Sequence, residues 1–202
     1  MKKITCFSII YICLFLVGCV TLPPPANPHN LCHIFKSRLS WYKHAQTASK
    51  RWNIPVHILM AIMKQESHFV AHAQPKRSWF LFIPLPRSSS AYGYAQAQDP
   101  AWNDYKKQAA KSWFPSRSDF GDAIDFIGWY LHKTHKINKV SVLKADLLYL
   151  NYHEGWGGYR RGTWKKKQWL MNVAKKVEQN ALNYKQQLKQ CRLHSISSGW
   201  FW

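Results

Sequence analysis

A chain of 202 residues is long enough for one compact domain with a real core, and a hydrophobic content of 47% excludes a wholly disordered one. Its 29 Lys and Arg against 9 Asp and Glu give a formal net charge of +20, which favours anionic partners: nucleic acid, an anionic membrane surface or an acidic polymer. Eleven Trp and ten Tyr are enough rings to fill a core or to line a groove for flat-faced ligands.

The chain opens with Met1, Lys2 and Lys3, then a nearly continuous apolar run from Ile4 to Val17. This is the n-region and h-region of a secretory signal, too short for a good transmembrane anchor. Its end, Leu16-Val17-Gly18-Cys19, resembles the bacterial lipobox. That resemblance implies cleavage after residue 18 and lipidation of Cys19. Val20 behind it is not the Asp associated with inner-membrane retention, so the expected address is the outer membrane, facing the periplasm. Losing Lys2 and Lys3 leaves the charge near about +18. Residues 19–31, with VTLPPPANPHN, read as a Pro-rich linker. With Cys6 and Cys13 in the signal and Cys19 lipidated, Cys32 and Cys191 remain as an even pair in an oxidising compartment. The reading is a disulfide joining the two ends of a domain over 32–191, followed by a tail over 192–202.

Within that domain the dominant period is helical. Tyr42, Ala45, Ala48 and Trp52 mark an amphipathic helix over Ser37–Trp52. Asn53 is the expected N-cap of the next helix, with Pro55 in its first turn. Gln74–Ala91, with three prolines and a serine run, reads as a long loop. Asp99-Pro100 signals a further helix start. Ser118 opens another, with Phe120, Ile124, Ile127 and Leu131 on one side. Ser141 precedes VLKADLLYLNYH, which Gly155 should stop, and Thr163 precedes the last long helix. The Lys165-Lys166-Lys167 run reads as a solvated face. The fold class is all-α, in one domain.

Glu66 is one of the few acids, and it follows an apolar run. On the helix from Pro55 it shares a face with Ile62, Met63 and Phe69, near the helix C-terminus. Partial burial and the negative end of the helix dipole both raise a carboxyl pKa there, which suits a general acid. The plain alternative is a Glu at the core edge whose head reaches water.

Two further stretches bear on that choice: SAYGYAQAQ over Ser90–Gln98 and NYHEGWGGYRRG over Asn151–Gly162. With ESHF they resemble, in order, the three signature blocks of the lytic transglycosylase SLT domain, a relative of goose-type lysozyme. Ala95 and His153 depart from the residues usual there, and the loop between the first two blocks is longer than typical. The resemblance implies a lysozyme-like, SLT-type helical domain with a long loop insertion, acting on the glycan strands of peptidoglycan. It implies that Glu66 protonates the β-1,4 bridging oxygen after N-acetylmuramic acid, then takes the proton of the C6 hydroxyl as that oxygen closes on C1 to a 1,6-anhydro ring. It implies substrate contacts from Ser67, Tyr94, Gln96, Tyr152, His153, Glu154 and Trp156, with Tyr152 hydrogen-bonding near Glu66.

Alternatives stay open at three of these positions. Glu154 fits a loop-stabilising or substrate-contacting role better than a second catalytic carboxylate. His153 reads as a groove-lining His or a proton shuttle. Trp156 and Tyr159 either stack on sugar or pack against the domain. No metal or cofactor is expected, since HEGWG lacks the second His of HExxH and no Cys pair has zinc spacing. The expected state is a monomer that does not bind nucleic acid. Rival functions are a peptidoglycan hydrolase delivering water to C1 and a non-catalytic wall-binding lipoprotein.

Overall fold

A computed structural model describes residues 22–191. The expected signal segment, Cys19 and the tail from 192 lie outside them. Seven α-helices occur among the described residues: α1 (Leu31–Ser37), α2 (Leu39–Trp52), α3 (Val56–Ser67), α4 (Asp99–Gln108), α5 (Phe120–Asn138), α6 (Ala145–Arg161) and α7 (Gln168–Gln190). A two-residue antiparallel pair, β1 (Trp79–Phe80) and β2 (Ile83–Pro84), lies in the long loop before α4. The class is therefore all-α, as the sequence led one to expect.

Several boundaries differ from the sequence reading, each for a local reason. Asn30, not foreseen as a cap, accepts His33 N at 2.9 Å and starts α1. Asn53 does not open α3. It ends α2 in the left-handed region (φ 54°), which Asn tolerates, and Pro55 precedes α3 where its missing N–H costs nothing. Asp119 rather than Ser118 caps α5, accepting Asp122 N at 2.8 Å. Helix α6 begins at Ala145, later than Ser141 implied. It does not stop at Gly155, which instead kinks it (φ 72°, ψ 161°) before it runs on to Arg161. Thr163 opens a 3₁₀ turn over Thr163–Lys166, and α7 starts only at Gln168.

Helix α3 is the centre of the molecule. Ile58 to Met63 are all essentially inaccessible, so it is apolar all round rather than along one stripe. It packs against α2, α5, α6 and α7. Even Lys64 is buried there, its Nζ 2.9 Å from His29 Nδ1 and 3.0 Å from Asn180 Oδ1. Gly128 on α5 lets that helix close on α2, since a Cβ there would come within 2.4 Å of Trp52 Cδ1. Asp125 then locks three helices: it receives Arg51 Nη1 at 2.5 Å and Trp52 Nε1 at 2.8 Å from α2, and Tyr105 Oη at 2.8 Å from α4.

The ends of the domain are tied to each other. Cys32 and Cys191 form a disulfide with a Cα separation of 5.7 Å, as expected. Around it Gln187 on α7 accepts Leu31 N at 2.7 Å and donates to His29 O at 2.9 Å, and Tyr184 Oη donates to Pro28 O. Part of the supposed linker is thus fastened to α7.

Candidate active site

Glu66 occupies the last turn of α3, followed by His68 and Phe69, both with positive φ, which turn the chain sharply away. The residue keeps a small accessible surface, yet its carboxyl lies deep enough for burial to dominate its acidity. Loss of solvation pushes it up to about 8, and a hydrogen bond from Tyr149 on α6 pulls partly the other way. Tyr149 was missed by the sequence reading. Its one signal was position: it lies three residues before Tyr152, on the same face of α6.

Tyr152 is not hydrogen-bonded to Glu66, contrary to expectation. Its Oη donates to Ala95 O at 2.6 Å, so it ties α6 to the second motif. It still lies in the field of Glu66: burial first, then the Glu66 charge, holds its phenol well above the ordinary value. Tyr130 on α5 sits edge-on to Tyr152, with ring centroids 5.1 Å apart, and burial pushes its phenol up to about 12. Two protonated phenols from α6 therefore flank one carboxyl.

The second motif is a tight loop built on backbone geometry. Gly93 has φ +75°, and a Cβ there would fall 2.0 Å from Arg117 O, so only glycine fits. Gln96 is itself left-handed (φ 47°), and its Nε2 donates to Ala73 O at 2.8 Å and Gly93 O at 2.9 Å. A cleft of about 260 Å³ opens beside this loop, with Gln96, Phe126, Tyr130, Tyr152, His153 and Glu154 among the residues on its walls. It thus joins the Gln motif to the Tyr motif; Glu66 is not among its lining residues, but Tyr152, which is, lies in the field of Glu66.

The other expected contact residues fall differently. Ser67 is buried, donating to Met63 O at 3.3 Å and accepting Phe69 N at 3.2 Å, so it terminates α3 rather than facing ligand. Tyr94 is buried in an aromatic cluster with Trp41 and Phe120, away from that cleft wall. Trp156 stacks on Tyr130 at 4.7 Å, and its Nε1 donates to Thr134 Oγ1 at 2.9 Å; it is packed, as Tyr159 is against Trp164. Of these, Trp156 packs into a ring cluster with Trp129 and Tyr130 of α5.

Glu154 has a side chain only 4% exposed, and its two oxygens are occupied. Lys167 Nζ reaches Oε1 at 2.7 Å, His153 Nδ1 lies 3.0 Å from the same oxygen, and Thr163 donates to Oε2. Burial works to raise its pKa but is outweighed by these donors, which hold it down at about 2. Lys167 is therefore a structural partner and not part of a merely solvated run. His153 packs edge-on against Trp169, centroids 5.3 Å apart. Among the described residues no cluster of three or more His, Cys, Asp or Glu could hold a metal ion.

An all-α domain whose central helix ends in one carboxyl of raised pKa, beside an aromatic cleft, is lysozyme-like in class. The chain belongs to the transglycosylase SLT domain family, whose model matches residues 7–191. That membership points to lytic transglycosylase activity on peptidoglycan. No curated protein sequence matches the chain.

Proposed function

We propose that the protein cleaves the β-1,4 bond between N-acetylmuramic acid and N-acetylglucosamine in peptidoglycan, leaving 1,6-anhydromuramic ends, with Glu66 as acid and then base. The observation that carries this reading is the carboxyl of Glu66, kept protonated near neutral pH by burial at the end of α3. In the first step its proton passes to the bridging oxygen and the C1–O bond breaks, leaving positive charge at C1. Glu66, now ionised, accepts the hydrogen bond of Tyr149, which stabilises the charged form that burial disfavours. It then takes the proton of the C6 hydroxyl as that oxygen bonds to C1. The proton Glu66 gave up is replaced, the ring closes, and no water is consumed.

The state of Glu154 supports this course over a two-carboxylate hydrolase. A nucleophile or water-activating base needs a free oxygen, and both of its oxygens are engaged by Lys167, His153 and Thr163. Its role in our reading is to brace the kink of α6 so that Tyr149 and Tyr152 keep their places. Gln96 fixes the loop whose Ala95 carbonyl receives Tyr152, and the walls of the cleft receive the sugar.

The test is digestion of purified sacculi with mass spectrometry of the released fragments. Anhydro ends from the wild type and none from Glu66→Gln support the reading. Reducing ends would replace it with the hydrolase, and no release from either chain with retained sacculus binding would replace it with a wall-binding protein. We also propose lipidation at Cys19 and attachment to the outer membrane. Incorporation of labelled fatty acid into the wild type but not Cys19→Ala, followed by envelope fractionation, checks it.

A further inference from the structure

The loop between the first two motifs carries a feature that the reaction does not use. From Trp79 to Leu85 the chain forms a short hairpin with a run of large apolar side chains facing solvent: Trp79 and Phe80 are each 64% exposed, Leu81 78% and Phe82 92%. Such a run would be costly on a surface that met only water. It is nevertheless held in shape. Leu85 N donates to Ser78 O at 2.9 Å below the β1–β2 pair, and Arg87 Nη1 donates to Pro75 O at 2.6 Å at the base. Its charge is one-signed: Lys76, Arg77 and Arg87 flank the tip, and no acid occurs between Glu66 and Asp99.

An aromatic and aliphatic tip above a collar of Lys and Arg matches the layers of a bilayer surface, rings at the acyl boundary and cations at the phosphates. We propose that this hairpin is a wedge that docks the domain onto an anionic phospholipid surface. Docking there also orients the cleft. The residues below the hairpin, His72 and Tyr92, are joined by a 2.6 Å hydrogen bond, and Ala73 O holds both Gly93 N and Gln96 Nε2. The wedge is thus built directly onto the loop that forms one wall of the site. A non-lipidated chain then binds membrane by the wedge alone, independently of any anchor at Cys19.

Among the described residues the hydrophobic core runs from Leu31 to Tyr184 and the disulfide joins Cys32 to Cys191, so the chain from Val20 onward keeps that folded body and lacks the lipid. That chain is mixed with vesicles of phosphatidylglycerol and phosphatidylcholine, or of phosphatidylcholine alone, and the bound fraction is measured by sedimentation. The expected result is binding to the anionic vesicles, at least tenfold weaker for Leu81→Ser/Phe82→Ser, and weaker for the wild type on neutral vesicles. The double variant should digest sacculi in vesicle-free buffer at the wild-type rate, which also shows that it is folded. Equal binding of variant and wild type to the anionic vesicles would overturn the proposal, leaving the general basic surface as the cause. Unchanged vesicle binding with slowed digestion would also overturn it, by assigning the hairpin to the glycan.

Discussion

Glu66 is stable in its place only while neutral. Its pKa rises from an ordinary 4.5 to about 8 on folding, so the unfolded chain ionises first as pH increases. Stability from this residue is complete below about 4.5 and is lost progressively as pH rises through about 8. Glu66→Gln abolishes that titration. It should match the wild type near pH 4 and exceed it by about 2–4 kcal/mol at pH 8, as read from urea unfolding across pH. On the proposed mechanism, activity has the same alkaline limit, because the donor must start protonated: release of fragments should fall above about pH 8. Tyr149→Phe removes the bond that lowers this pKa. At about 1 kcal/mol per bond the limb should move up by about 0.7 pH units, with a lower maximal rate because the ionised intermediate loses its donor. A pH–rate profile of the variant checks both.

At the scale of elements, the kink of α6 decides what the site contains. Gly155 has φ 72° and ψ 161°, a conformation open almost only to glycine, while a Cβ there would meet nothing nearer than Tyr130 Oη at 4.0 Å. The cost of Gly155→Ala is therefore backbone strain, not a clash. It should destabilise the fold by about 1–3 kcal/mol and lower activity, measured by thermal unfolding and fragment release. The sequence marked this glycine but implied a helix stop. The error has a physical origin: Asn138 Nδ2 reaches across to Asn151 Oδ1 at 2.7 Å and Trp156 O at 3.0 Å, bridging the break so that the helix resumes. Tertiary hydrogen bonds of this kind leave no local periodicity to read. Helix α3 shows the same limit, since a stripe was legible but burial on every side depends on four neighbours.

Across the whole molecule, the disulfide and the contacts around it close the chain on itself. The Cys32–Cys191 bridge spans 159 residues, a loop long enough to be worth about 4–5 kcal/mol in the chain-entropy model. Cys32→Ser/Cys191→Ser should lose about 2–5 kcal/mol of stability, seen as a lower Tm that reductant does not lower further. The residual hold comes from Gln187, which grips His29 and Leu31 without the bridge.

The amino-acid order alone determined the helical class, the pairing of Cys32 with Cys191 and the placing of one carboxyl near the end of an apolar helix. Each follows from spacing, count or local chemistry, which a linear text records. Only the folded structure decided which side chains meet that carboxyl. It chose Tyr149 as the hydrogen-bond donor, sent Tyr152 to Ala95, turned Ser67 and Tyr94 inward and bound Glu154 to Lys167. Those choices rest on distances between residues remote in sequence, and helix packing sets such distances where no local propensity can.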